Sequence, residues 1–346
     1  MKDSNRSESD IEVVKQLNLK IKGKKIAQIF KKVAGIRELA LILFIIVTGI
    51  IVSILSPYFL TFSNINTLLL GVSLNAIVAF GMTMLLIAGY FDLTVGSVSG
   101  LASGVTAVLM TRLNNPIPVW LAILIGLLIG VVIGFINGFA IVKMGLNSFI
   151  FTFGGLVFFR SVLFIITKGS SIARLPTSFN SICQTKYLGI QLPVYVMIVF
   201  LIVGDILVRK SVWGKKIFYI GLNSKSAKLA GIRVENYSVA LFILSGFLAA
   251  FSGMLLTSRI GTATVSAGTG LEFEVITAAI VGGASLFGGK GSILGSFLGA
   301  MLMGLILNSM ALLDINIYWQ NIVVGIVLIM FVAIDAIYEK RKILIS

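Results

Sequence analysis

The sequence predicts an all-α, polytopic membrane protein with about ten transmembrane helices and both termini in the cytoplasm. Three observations predict it. Of the 346 residues, 58% are apolar and only 12% charged, whereas a soluble domain is nearer half apolar and a quarter charged. Apolar runs of about 20 residues recur, each long enough to cross roughly 30 Å of hydrocarbon. The cations fall between those runs, and unequally on alternate sides.

Taken in order, a basic tail, 1–38, comes first. Its Ile26, Ile29, Phe30 and Val33 share one helical face, opposed by Lys24, Lys25, Lys31 and Lys32. That pattern fits an amphipathic helix on the anionic inner leaflet; a solvated tail that only enforces topology is the alternative. The opening "MKDSNRSESDIEVVKQ" lacks the apolar core of a signal peptide, so the first span is expected to act as its own insertion signal. Spans follow at 39–56, 66–89 and 93–111, the last two flanking "AGYFDLTVGSVSG", where Asp92 is wedged between apolar runs. Span 118–142 carries Gly126, Gly130, Gly134 and Gly138, one face of small residues that lets a neighbouring helix approach closely. Gly96, Gly100 and Gly104, and later Gly291, Gly295 and Gly299, repeat the device.

Spans 148–167 and 190–208 precede the longest polar stretch, 209–237, and span 238–258 follows it. The weakest span is 272–286, in "EFEVITAAIVGGASLFGGKGS", which starts acidic and carries Gly282, Gly283, Gly288, Gly289 and Gly291. Spans 293–313 and 318–338 and a short tail, 339–346, complete the chain. Broken helices are tolerated at membrane depth only where protein or a watery cavity surrounds them. The segments 88–100 and 272–291 are therefore expected to be irregular, lining a path. "GSVSGLASG" and "GSILGSFLG" begin alike, through an internal duplication or through convergence on small-residue packing.

An even number of spans puts both termini on one side. With those termini in the cytoplasm, 22 of the 28 Lys and Arg lie inside, 5 outside, and Arg160 falls within a span. The positive-inside rule then fixes the orientation and places 209–237 in the cytoplasm. The net charge of +15 is thereby read as topology, with a lipid bilayer and no nucleic acid as partner.

The chain has no histidine and one cysteine, Cys183, which removes the usual general base and any intrachain disulfide. "ASLFGGKGS" approaches a phosphate loop, but Ala284 stands where the first glycine belongs and Gly291 where Ser or Thr follows the lysine. It reads as a turn between spans. No catalytic, metal or cofactor residue is assigned on this chain. Among the acids, Asp205, Asp314 and Asp335 sit near span ends, and Glu272 and Glu274 are two apart and do not share a helix face. Asp92 has two readings: a cap for the amides of Thr94 and Val95, or a contact for a polar solute. Asn75, Asp92, Asn137 and Asn308 are polar groups at membrane depth, and Phe153 offers a stacking ring; these five are the candidate solute path, with interhelical bonding the alternative for each Asn.

Within 209–237, Asn223 or Ser224 is placed to start a short helix and Gly231 to stop it. Ala227, Leu229 and Ala230 give it a small apolar surface, and Lys225 and Lys228 keep it soluble. So short a helix needs something to pack on: lipid headgroups or a cytoplasmic partner.

"SAGTGLEFEVI" followed by "GGASLFGGKGS", with "AGYFDLTVGSVSG" and "YWQNIVVGIVLI", resembles the membrane permease of ribose-type sugar importers of the ATP-binding-cassette class, over about residues 40–338. Branched-chain amino-acid permeases share the early Asp-Leu motif, but their glycine-rich segment reads differently. The resemblance implies a permease domain over 39–338 in the bacterial cytoplasmic membrane, with a second permease subunit, most simply a homodimer. It also implies cytoplasmic ATPase subunits that bind ATP and Mg, and an extracytoplasmic sugar-binding protein. It makes 223–231 the coupling helix to the ATPase, matching the family pattern at Asn223, Leu229, Gly231 and Ile232. Ser224 stands where an acid is usual, and Lys225 and Ser226 replace two alanines. Other polar cargo, such as another sugar, a sugar-like signal, a nucleoside or a branched-chain amino acid, stays open. An ion-coupled secondary transporter would need buried carboxylates that one Asp and no His do not supply.

Overall fold

In the computed structural model, which describes residues 37–113 and 115–345, the chain is almost entirely helical. The amphipathic pattern around Ile26, Ile29, Phe30 and Val33 lies outside the described residues. The helices are α1 (Arg37–Leu55), α2 (Phe62–Ile87), α3 (Val95–Thr111), α4 (Val119–Gly138), α5 (Ser148–Thr167), α6 (Thr177–Gln184), α7 (Leu192–Lys210), α8 (Val212–Leu222), α9 (Ser224–Leu229), α10 (Val234–Ile260), α11 (Leu271–Val281), α12 (Ile293–Leu312) and α13 (Ile317–Ile345). A π-turn, Phe139–Lys143, extends α4. A two-residue hairpin, β1 (Lys186–Tyr187) with β2 (Ile190–Gln191), precedes α7.

Each of the ten predicted spans coincides with a helix, and among the described residues eight helices are long and apolar enough to cross a membrane. The other two are α3, with 17 residues, and α11, with 11. At 1.5 Å per residue α11 reaches only about 16 Å. Both follow irregular chain, 88–94 and 261–270. Gly270 (φ 82°) starts α11, and Gly283, Gly288 and Gly289 after it also take positive φ, conformations that only glycine adopts at no cost. Within the two segments expected to be irregular, 88–94 and 282–291 are so, while 95–100 and 272–281 are helical; a further irregular stretch, 261–270, precedes α11.

The centre is built on α2 and α10, most of whose residues are buried. Helix α10 packs against α4, α3, α2 and α6. Its contact with α4 follows from the glycine ridge: a Cβ on Gly134 would meet Phe242 backbone, one on Gly138 would lie 3.0 Å from Val239 Cα, and Gly130 and Gly246 face each other. Backbones thus approach closely enough for dispersion to hold helices that lipid alone would not drive together. Gly282 and Gly295 bring α11 against α12 in the same way. Helices α1, α5 and α13 lie outermost and expose Phe44, Ile54, Ile165 and Ile329, the surface that hydrocarbon covers.

Candidate functional site

Two short helices form a hairpin between α7 and α10. Sequence reading expects one there; the structure adds α8, whose start is capped by the Ser211 hydroxyl accepting from Gly214 N–H at 3.0 Å. Helix α9 is capped by Asn223, whose side-chain oxygen accepts from Ser226 N–H at 2.9 Å, while Ser224 opens the helix itself. Gly231 ends the turn at φ 81°, and Ile232 N–H closes it onto Ala227 O at 3.1 Å. Lys228 Nζ reaches Glu235 at 2.6 Å, and Lys216 lies 5.4 Å from the centre of the Tyr237 ring, so both short helices are tied to the first turn of α10. Ala227 faces inward, and Leu229 is 91% exposed. An isolated six-residue helix does not persist in water, and this one carries an exposed apolar residue at its tip. Beside it an open cleft of about 530 Å³ is lined by Tyr219, Leu222, Ala227, Ala230 and Ile232, with Lys215 and Lys216 at its rim.

The hairpin meets both broken spans at one joint. A Cβ on Gly221 of α8 would fall on the carbonyl of Ile87, the last residue of α2, and lie 2.5 Å from the amide of Gly289. Gly289 N–H donates to Ile87 O at 2.8 Å. A Cβ on Gly288 would lie 3.1 Å from Gly89 Cα. The glycine loop 282–291 is held in turn by α13: Asp335 accepts from Ser285 Oγ at 2.9 Å and from Leu286 N–H at 3.2 Å. Movement of α8 therefore bears directly on the segment after α2 and on the loop after α11.

At membrane depth, Asp92 accepts from Thr94 N–H at 2.9 Å and Thr94 Oγ1 at 2.6 Å. Asn137 Nδ2, from α4, donates to Thr94 Oγ1 at 2.9 Å. All three are wholly buried, so Asp92 orders the turn before α3 and ties it to α4. Asn75 lies elsewhere, donating to Glu274 at 2.7 Å. Asn308 exchanges two amide bonds with Asn64, at 3.1 and 2.9 Å. Phe153 is half-exposed on α5 and stacks on Phe149. The five residues of the expected solute path thus fall into four places, and only Asp92 and Asn137 meet. Arg160 Nη1 donates to Ala267 O at 2.6 Å and pins the run of turns before α11.

Sequence reading missed the joint at Gly221 and the partner of Glu274. The first left a signal: a glycine inside "KKIFYIGLN" costs about 1 kcal/mol of helix propensity, which points to a close approach. The second left none, because Asn75 is 199 residues away.

Residues 64–332 match the family model described as the permease component of branched-chain amino acid transport systems. The chain is 38% identical over 295 residues to the ribose import permease protein RbsC of Bacillus subtilis, covering 85% of this chain and 90% of that protein. It is 34% identical over 290 residues to the L-arabinose transport system permease protein AraH of Escherichia coli, with 84% and 88% covered. To the xylose transport system permease protein XylH of Escherichia coli it is 28% identical over 376 residues, with 89% and 95% covered. No solved structure matches.

Proposed function

The chain belongs to the family of permease components of branched-chain amino acid transport systems, and on that premise we propose that it is the membrane subunit of an ATP-binding-cassette importer that carries a sugar, of the ribose, arabinose and xylose class, across the bacterial cytoplasmic membrane. Relatives named for those three pentoses support the cargo class. The excess of cations on the hairpin side supports a cytoplasmic position for α8 and α9.

The chain does no covalent chemistry of its own. ATP and Mg are bound by cytoplasmic ATPase subunits, a second copy of this chain completes the path, and an extracytoplasmic binding protein delivers the sugar. The exposed Leu229, the cleft beside it and the flanking Lys215, Lys216 and Lys225 form the surface that the ATPase grips. When the ATPase dimer closes, α9 is carried with it. Lys228–Glu235 passes the displacement to α10, Asn223, which ends α8 and caps α9, passes it to α8, and Gly221 presses on Ile87 and Gly289. The segments 88–94 and 282–291 then repack, and access switches sides. The ATPase and the loaded binding protein bias two packings that differ by a few kcal/mol, a differential-affinity effect and not a push on a soft body.

The observation that carries this reading is the joint at Gly221, where one exposed hairpin touches both discontinuous spans. The test is Gly231→Pro. Proline holds φ near −65° and cannot adopt the +81° of Gly231, so the hairpin cannot close. The variant is expected to insert normally and to lose ATP hydrolysis stimulated by the loaded binding protein. Unchanged stimulation overturns the lever. A cysteine at position 229 is expected to crosslink to the ATPase subunit.

A further inference from the structure

A carboxylate at membrane depth pairs with an amide at the end of a column of small and polar residues on α2. Glu274, in the first turns of α11, is only partly buried and accepts from Asn75 Nδ2 of α2 at 2.7 Å. Among the described residues neither side chain has a second hydrogen-bonding partner. After Phe62, the exposed residues of α2 are Ser63, Thr67 and Gly71. They stand four apart on one face, and the next step along it is Asn75. The turns leading to Glu274 likewise expose Ser266 and Thr269, and Glu274 N–H bonds back to Gly270 O at 3.2 Å. Helices α1, α5 and α13 expose mostly apolar side chains such as Phe44, Ile54, Ile165 and Ile329, and their exposed Ser161 and Asn321 stand singly, not in a column. Thr67 Oγ1 donates back to Ser63 O at 3.0 Å, but the hydroxyls of Ser63, Ser266 and Thr269 and the second carboxylate oxygen of Glu274 would find no partner in hydrocarbon, at high cost. A column of them ending in a charged hydrogen-bonded pair fits water and a polar solute.

Resting on the reading of the chain as a sugar permease, we infer that Asn75 and Glu274 form the sugar-hydroxyl recognition point of the translocation path, and that Ser63, Thr67, Gly71, Ser266 and Thr269 form the wetted wall leading to it. The chemistry suits a polyol. The free oxygen of Glu274 accepts from one hydroxyl, and Asn75 Oδ1 accepts from its neighbour, so the pair bridges adjacent hydroxyls. The fixed 2.7 Å bond between the two side chains sets the spacing they can span. Uncharged alcohols bind weakly enough at such a point to leave it.

Two experiments test this. With Cys183→Ser as background, cysteine placed at Thr67 or Gly71 is expected to react with a membrane-impermeant thiosulfonate far faster than cysteine placed at Ile46 or Ile329. Equal, slow rates would make the column a dry packing face for the second copy and overturn the wetted wall. In proteoliposomes holding the complete importer, Glu274→Gln and Asn75→Leu are each expected to cut sugar uptake about tenfold, the size expected for one charge-assisted hydrogen bond, and to change the ratio of ribose to arabinose to xylose carried. Wild-type rates and ratios in both variants would overturn the recognition point. If the unmodified importer carries none of the three sugars, the sugar reading fails while the labelling result still decides whether the wall is wet.

Discussion

Cys183 is the only thiol in the chain, and it sits wholly buried on α6. Burial pushes its pKa up to about 11, because the thiolate would lose its hydration there. The folded protein is therefore expected to resist maleimide at pH 7, to react faster as pH rises toward that value, and to react fully once denatured. Mass analysis after timed quenching checks this; prompt stoichiometric modification of folded protein at pH 7 contradicts it. Legibility at this scale depends on sequence distance. The bond between Asp92 and the Thr94 amide is legible because the two are two residues apart, but it orders the turn before α3, whose first turn has no side-chain cap, and the Val95 amide is not part of it. Glu274 was weighed only against Glu272, its neighbour along the helix, and the residue that matters to it lies on another span. Asn308 read equally well as glue or as path, and only its pairing with Asn64 distinguishes them.

Among the elements, the contact between α4 and α10 rests on absent side chains. A Cβ on Gly130 would lie 2.6 Å from Ala250 Cβ as well as against Gly246, whereas one on Gly154, on the outer helix α5, would meet nothing within 4 Å. Gly130→Leu is expected to cost at least the roughly 1–3 kcal/mol of core overpacking and to lower the thermal midpoint in detergent, or to prevent assembly. Gly154→Ala is expected to change stability by no more than about 0.5 kcal/mol, leaving the midpoint nearly unchanged or slightly raised. Similar losses in both would show that the ridge is not what holds these helices. The ridge was readable from its four-residue spacing; its partner was not, because α10 contributes a single facing glycine, Gly246. The long spans were equally plain, since about 20 apolar residues have few other uses. Helix α8 was hidden because Lys215, Lys216 and two glycines look like loop when the burial of Ile217 and Ile220 is unknown.

For the whole molecule, three devices converge on one end of the bundle. The hairpin of α8 and α9 offers a grip, Gly221 abuts the end of α2 and the loop after α11, and Asp335 fastens that loop to α13. On the proposed reading, a chain built this way works through a partner that binds one packing better than the other. The most direct measurement is radiolabelled ribose uptake into proteoliposomes holding this permease with or without its ATPase subunits, ATP being inside and the loaded binding protein outside. The account predicts accumulation only when the ATPase is present, with none under a proton or sodium gradient alone. Uptake at full rate without the ATPase would contradict it.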